Sequence, residues 1–305
     1  MNSTALRALT LGLGLAATAL PASSGHHESG PSFKQQAVKG PIQVLQGKGG
    51  NIGVLKGADG ILLIDNDYPD MNKALKKALK PFGGVESVSF VINTHWHGDH
   101  TGGNALLGSE SLIVAHDNVR ERLSQPQEVK LFNMKSPAYA EVALPEITYS
   151  QTLNLHFGGE ELELVHYPGG HTDGDTVVYF KNSNVVHTGD HFFNGFFPFV
   201  DVDSGGSVLR MAANVGEILD RINDDTVIIP GHGPIADKQD LKDFQTMLIG
   251  TSADVQAMMM EGKDLETIQE QGLSDIWQPW TKGFLNEKTW ISIVYASLKA
   301  EEENN

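Results

Sequence analysis

Three imidazoles and a carboxylate fall within six residues at His95, His97, Asp99 and His100, in the stretch Asn93-Thr94-His95-Trp96-His97-Gly98-Asp99-His100-Thr101-Gly102-Gly103-Asn104. If the chain leaves the strand-like run Val88 to Ile92 still extended, His95 and His97 project to one side. Asp99 and His100 then follow where the backbone turns into a helix. Three more polar residues sit beside glycines that let the backbone turn sharply and approach closely: His171 after Gly169-Gly170, Asp190 after Gly189, and His232 between Gly231 and Gly233. Five histidines and two aspartates suffice for two cations. His95, His97 and His171 are assigned to one ion and Asp99, His100 and His232 to the other, with the two oxygens of Asp190 bridging them. Imidazole and carboxylate donors in this proportion favour zinc over magnesium or manganese, with iron as the alternative, so two Zn2+ per chain are expected.

The elements that must position these residues read as β runs alternating with helices. Ile42 to Leu55 reads as two short strands around Gly47-Lys48-Gly49-Gly50-Asn51, a hairpin with a mobile tip. Ile61 to Ile64 suits a buried strand ending at Asp65-Asn66-Asp67, and Met71 to Leu79 has helical spacing closed by Pro81. Pro126 to Tyr139 reads as a long loop. Strands are expected over Leu153 to Phe157, Leu162 to Tyr167, Thr176 to Phe180 and Val185 to Thr188, the last three each abutting a candidate ligand. A helix over Ser207 to Ile222, a short strand at Val227-Ile228-Ile229 and a mostly helical remainder complete the chain, with Glu301 to Asn305 frayed. Two similar β and α halves packed sheet to sheet make an α/β sandwich.

The bulk properties bound the partners. A formal charge of -16 without a basic stripe argues against nucleic acid or an anionic membrane surface. The absence of cysteine excludes disulfides, thiolate ligands and thiol nucleophiles together. Arg7, the apolar run Ala8 to Leu20 and the small residues Pro21 to Gly25 form a signal peptide pattern, and that run is shorter than the roughly 18 to 20 residues that span a bilayer. The expected organisation is therefore a signal peptide over 1–24, a polar linker over 25–40, and a catalytic domain over 41–305 with a helical C-terminal end. Export to a periplasm or the medium follows, with no membrane anchor, no protein partner implied and a small molecule as substrate.

At this point the chain resembles the metallo-β-lactamase superfamily, whose His-x-His-x-Asp-His motif stands in full at His95 to His100, with His171, Asp190 and His232 following in order and rough spacing. The resemblance covers about residues 42 to 235. It implies a four-layer αββα sandwich with the metals at one edge, and it implies that Asp65 orients a ligand histidine. It is similar to true β-lactamases in Asn93 to Asn104 and in Tyr167 to Thr172, and departs from them twice: Asp190 stands where many have cysteine, and Phe193 where a substrate-binding lysine often follows.

The leading expectation is an exported zinc hydrolase that opens a β-lactam amide, and the alternative is a lactonase, esterase or glyoxalase II-like thioesterase on the same centre. Water whose pKa the metals lower to about 7 attacks a carbonyl carbon, and Asp99 relays its proton to the leaving group. Trp96 is placed at the pocket rim, His191 and Asn194 at the substrate, and Phe192, Phe193, Phe196, Phe197 and Phe199 are divided between substrate and core. The remaining histidines, His26, His27, His116, His156, His166 and His187, are read as surface or satisfied core residues.

Overall fold

The computed structural model describes Met1 and residues 30–303, so the signal-peptide reading and His26 and His27 lie outside the described residues. Strands β1 (Lys34–Lys39), β2 (Ile42–Gln46), β3 (Ile52–Gly57), β4 (Gly60–Ile64), β5 (Val88–Ile92), β6 (Leu112–His116) and β9 (Ile147–Tyr149) form one sheet in the order β1-β2-β3-β4-β5-β6-β9. Set between them are helices α1 (Asn72–Leu79), α2 (Gly98–Thr101), α3 (Asn104–Leu107) and α4 (Asp117–Leu123) and a separate hairpin of β7 (Gln127–Val129) and β8 (Met134–Ser136). The second sheet runs in sequence order through β10 (Thr152–Phe157), β11 (Glu160–His166), β12 (Thr176–Phe180), β13 (Val185–His187) and β14 (Val227–Ile229). Helix α5 (Val208–Arg221) precedes β14, and α6 (Lys238–Met260), α7 (Leu265–Gln271) and α8 (Glu287–Glu303) follow it.

Alternation along single strands builds the layers. Ile61 and Leu63 share a core with Leu75 and Leu79 of α1, while Leu62 and Ile64 share the core between the sheets with Leu164, Val178 and Phe180. On the other side Ile228 packs with Val215 of α5 and Phe244 of α6, and its neighbour Ile229 faces the first sheet. Both sheet faces are covered, which is why β4 and β14 are continuous apolar runs rather than alternating ones. The result is the αββα sandwich.

Four local expectations are corrected. Lys34–Lys39, placed in the linker for its polar composition, is an antiparallel edge strand on β2; its side chains are almost all exposed, and backbone pairing does not depend on their polarity. The loop Pro126 to Tyr139 contains the β7–β8 hairpin. The tip Gly47 to Asn51 is not loose but fastened to the site, as described below. Helix α8 runs through Glu303, with Glu301 accepting a hydrogen bond from Ser207 Oγ at 2.6 Å.

His116 and His166 stack face to face between the ends of β6 and β11, with ring centroids 3.7 Å apart. His116 Nε2 donates to Ser150 O and its Nδ1 accepts from Asn118 N, which holds that ring neutral, and His166 Nδ1 donates to Asp175 O. Burial depresses both pKa values below the ordinary histidine range. The unfolded chain therefore binds more protons than the folded one as pH falls below about 6.5, and stability falls with it. In thermal melts between pH 7 and 5 these two rings should contribute a falling midpoint, against the opposite contribution of Asp175, His100 and His232, whose pKa values are raised in the fold. His166→Phe should make that fall smaller without abolishing it, because His187 and His191 are buried with depressed pKa values and act in the same direction.

Candidate metal centre

The first-sheet edge delivers the opening motif. After β5, Asn93 N donates to Val114 O, the chain bends through Thr94, His95 and Trp96, and His97, with φ of -61° and ψ of 148°, is the residue before α2. The rings of His95 and His97 meet as expected, but through this bend rather than along an extended strand end. His97 Nδ1 is 3.1 Å from His95 Nε2 and 2.8 Å from His171 Nε2. One turn of α2 brings Asp99 and His100 to the second group, where Asp99 Oδ2 and His100 Nε2 lie 3.3 Å from His232 Nε2.

Asp190 stands between the groups. Its Oδ2 is 3.4 Å from both His171 Nε2 and His232 Nε2 and 3.8 Å from His95 Nε2, and its Oδ1 is 3.1 Å from His100 Nε2. His95, His97, His171 and Asp190 present ligand atoms within 4.8 Å of one another, as do Asp99, His100 and His232. All seven expected ligands are brought together in the expected partition.

The donor chemistry fits two cations. Neutral imidazole nitrogens converging at 2.8 to 3.1 Å cannot all find a proton to share, and Asp190 Oδ1 is buried without a hydrogen bond. Four of the five imidazoles have their far nitrogen fixed: His95 Nδ1 by Thr94 Oγ1 at 3.1 Å, His97 Nε2 by Asp201 Oδ2 at 3.0 Å, His100 Nδ1 by Asp65 Oδ2 at 2.7 Å and His171 Nδ1 by Phe199 O at 2.8 Å. Such partners set tautomer and ring orientation. The ring of His232 is stacked instead on Phe193, with centroids 4.8 Å apart and planes 17° from parallel.

Electrostatics divide the two groups. Burial and the neighbouring His100 hold His95 well below the ordinary histidine range, and burial takes His171 down to about 4. At the other group burial is outweighed by carboxylates. Asp190, Asp99 and Asp65 raise His100 well above its usual value, and Asp190 and Asp99 raise His232 to about 9. Burial opposes ionisation of Asp99, but His100 and His232 bring it down to about 2. A divalent cation is the natural replacement for those imidazolium protons.

The glycine loop forms the floor. Lys48 N and Gly49 N donate to the two oxygens of Asp67 at 3.0 and 2.9 Å, Gly50 N donates to Asp99 O and Asn51 N to Gly231 O. A Cβ on Gly50 would fall inside contact distance of the His100 ring. Gly50→Ala is accordingly expected to displace that ring and lower metal affinity by roughly 10- to 100-fold, the scale of a disturbed ligand support, which competition with a chelator would read.

Two substrate assignments are corrected. Trp96 is 3 % exposed and lies in the helical core, with Arg122 over its ring at 5.9 Å. His191 is fully buried beneath Gly170, its Nε2 3.1 Å from Asn214 Nδ2 of α5. Asn194 is half-buried beside the last ligand, its backbone N donating to His232 O and its Nδ2 to Pro234 O. Asp201, Phe199 O and Asp67 were missed. So was Asp175, which accepts from His171 N and Thr172 N and Oγ1, and whose carboxyl burial lifts to about 8.

The profile of the Metallo-beta-lactamase superfamily matches residues 46–232. The chain is 24 % identical over 188 residues to a metallo-beta-lactamase type 2 of Bacillus cereus, covering 61 % of this chain and 67 % of that protein. It is 28 % identical over 148 residues to a hydroxyacylglutathione hydrolase of Polaromonas sp., covering 48 % of each. In fold it is similar to the DIM-1 metallo-beta-lactamase at a TM-score of 0.56 and 20 % identity, over 72 % of this chain and 98 % of that one. The chain spans about half the length of other curated relatives, at 53 % and 49 %. With a match that begins at the glycine loop and ends at His232, and a sandwich whose edge gathers the two His/Asp groups between, the chain belongs to the metallo-beta-lactamase superfamily.

Proposed function

We propose that the chain is a two-zinc hydrolase of neutral carboxylic esters, lactones or thioesters. The observation that carries the two-ion reading is Asp190, whose separate oxygens address both ligand groups. Bound zinc supplies Lewis acidity toward a carbonyl oxygen and lowers the pKa of water to about 7. Asp190 sets the spacing of the two ligand groups. Asp99, whose side chain is 17 % exposed against 4 % for Asp190, is the carboxylate open to the reacting face. Its Oδ2 accepts the proton of the attacking water and returns it to the leaving atom.

Opening of a β-lactam amide is the second reading, supported by the similarity to the Bacillus cereus protein. The neutral substrates lead because cations on the flanking segments are already engaged: Lys48 with Asp70 at 2.6 Å, Arg122 with Asp173 at 2.7 Å and Lys130 with Asp203 at 2.7 Å. Phe193 stands where a lysine for a substrate carboxylate would be expected. Zinc-loaded protein should hydrolyse members of an ester, lactone and thioester panel faster than nitrocefin; turnover of nitrocefin alone would reverse the order. We also propose export, supported by Arg7 and the run Ala8 to Leu20, for which the N-terminal sequence of protein recovered from the periplasm or medium is the test.

A further inference from the structure

Phenylalanines from three distant segments form an arc that joins the two ligand groups. It starts at Phe199, whose ring centroid lies 5.6 Å from that of His97 and 5.8 Å from that of His171. Phe132, at the turn of the β7–β8 hairpin, lies 4.9 Å from Phe199 and 6.2 Å from Phe284, which precedes α8. Phe284 in turn lies 6.2 Å from Phe193, 6.1 Å from Phe196 and 6.5 Å from His232, closing the arc at the second ligand group. If these rings served only to pack the helices onto the sandwich, the outermost would be covered. They are not: Phe284 is 56 % and Phe132 37 % exposed, whereas Phe192 and Phe197 of the same run are fully buried against Phe244 and Trp290. Exposed large apolar groups gathered beside a reaction centre mark a binding surface.

We propose that this arc is a subsite for an extended apolar substituent of the substrate, an alkyl or aryl chain carried next to the scissile carbonyl. Resting on the ester and lactone reading above, it narrows the class to substrates with medium or long apolar chains. The hairpin that presents Phe132 meets, through an exposed Lys130–Asp203 ion pair, the turn Val202–Ser204 just beyond Asp201, the partner of His97. A chain leaving the carbonyl between the ligand groups meets aromatic faces, and each methylene fully transferred to them is worth up to roughly fourfold in binding.

The test compares 4-nitrophenyl acetate, butyrate and octanoate on the zinc-loaded full chain, with calorimetric binding of octanamide and acetamide as a readout that needs no turnover. The expected result is a kcat/KM rising on the order of 30-fold from acetate to octanoate, octanamide binding tighter than acetamide, and both preferences reduced on the order of tenfold in Phe132→Ala/Phe284→Ala, with circular dichroism confirming the fold. Equal rates on acetate and octanoate would overturn the subsite and leave the esterase reading standing. If no ester is turned over, that reading falls and calorimetry decides the subsite alone: equal amide affinities, or a preference untouched by the double substitution, overturn it.

Discussion

On the two-zinc reading proposed above, Asp190→Ala is expected to reduce bound zinc from two ions per chain to one or fewer and to lower kcat/KM by roughly a thousandfold or more, the scale on which loss of a central catalytic group is felt. Its carboxylate reaches both groups: Oδ1 faces His100 and Oδ2 faces His95, His171 and His232. The fold should persist, because the sandwich core does not involve this carboxylate. A second readout is independent of turnover. Burial alone would lower His232, and Asp190 is the largest influence raising it to about 9, so in zinc-free protein the substitution should bring its NMR titration down toward the ordinary value near 6.5. Asp190→Asn, which keeps shape and one acceptor oxygen, should retain intermediate zinc. Two tightly held ions and wild-type turnover in the alanine variant would mean that Asp190 does not bridge.

The seven residues that the structure gathers into two groups were legible because their signal is local: residue type, spacing and adjacent glycines single them out. The layers were legible for a similar reason, since runs such as Ile61 to Ile64 must be covered on both faces. What escaped lies in contacts without a local pattern. Asp201 meets His97 across 104 residues, and the acceptor for His171 is the Phe199 backbone carbonyl, a group every residue possesses. Edge pairing of Lys34–Lys39 is invisible for the same reason: the sheet reads its backbone, not its side chains. His191 was misplaced by adjacency to Asp190, because in the tight turn Gly189–His191 successive side chains diverge and His191 points to α5 instead. Trp96 was not readable from alternation, because the chain bends through Thr94, His95 and Trp96 instead of continuing the strand.

Asp65 is the position where stability and metal affinity are expected to fall together. It is wholly buried and held at φ 64°, a left-handed conformation that few residues other than glycine, asparagine and aspartate adopt readily. Its Oδ1 accepts from Thr94 N at 2.8 Å, and its Oδ2 accepts from Thr94 Oγ1 and His100 Nδ1, both at 2.7 Å. One carboxylate thus fixes the backbone just before His95 and the ring of a ligand in the other group. Asp65→Ala orphans three buried donors and places a Cβ-only residue in a strained backbone, so a loss of about 3 to 5 kcal/mol is expected in urea denaturation of zinc-free protein. Zinc affinity should fall roughly 10- to 100-fold as His100 loses its orientation. Asp65→Asn tolerates the backbone and keeps one acceptor, and should recover part of the stability. Its amide offers no second acceptor, so the zinc defect should remain larger than the folding defect. If both variants unfold at the wild-type urea midpoint, Asp65 is not the buttress these hydrogen bonds describe; if both bind zinc normally, the rings of this site are held by packing rather than by their far-side partners.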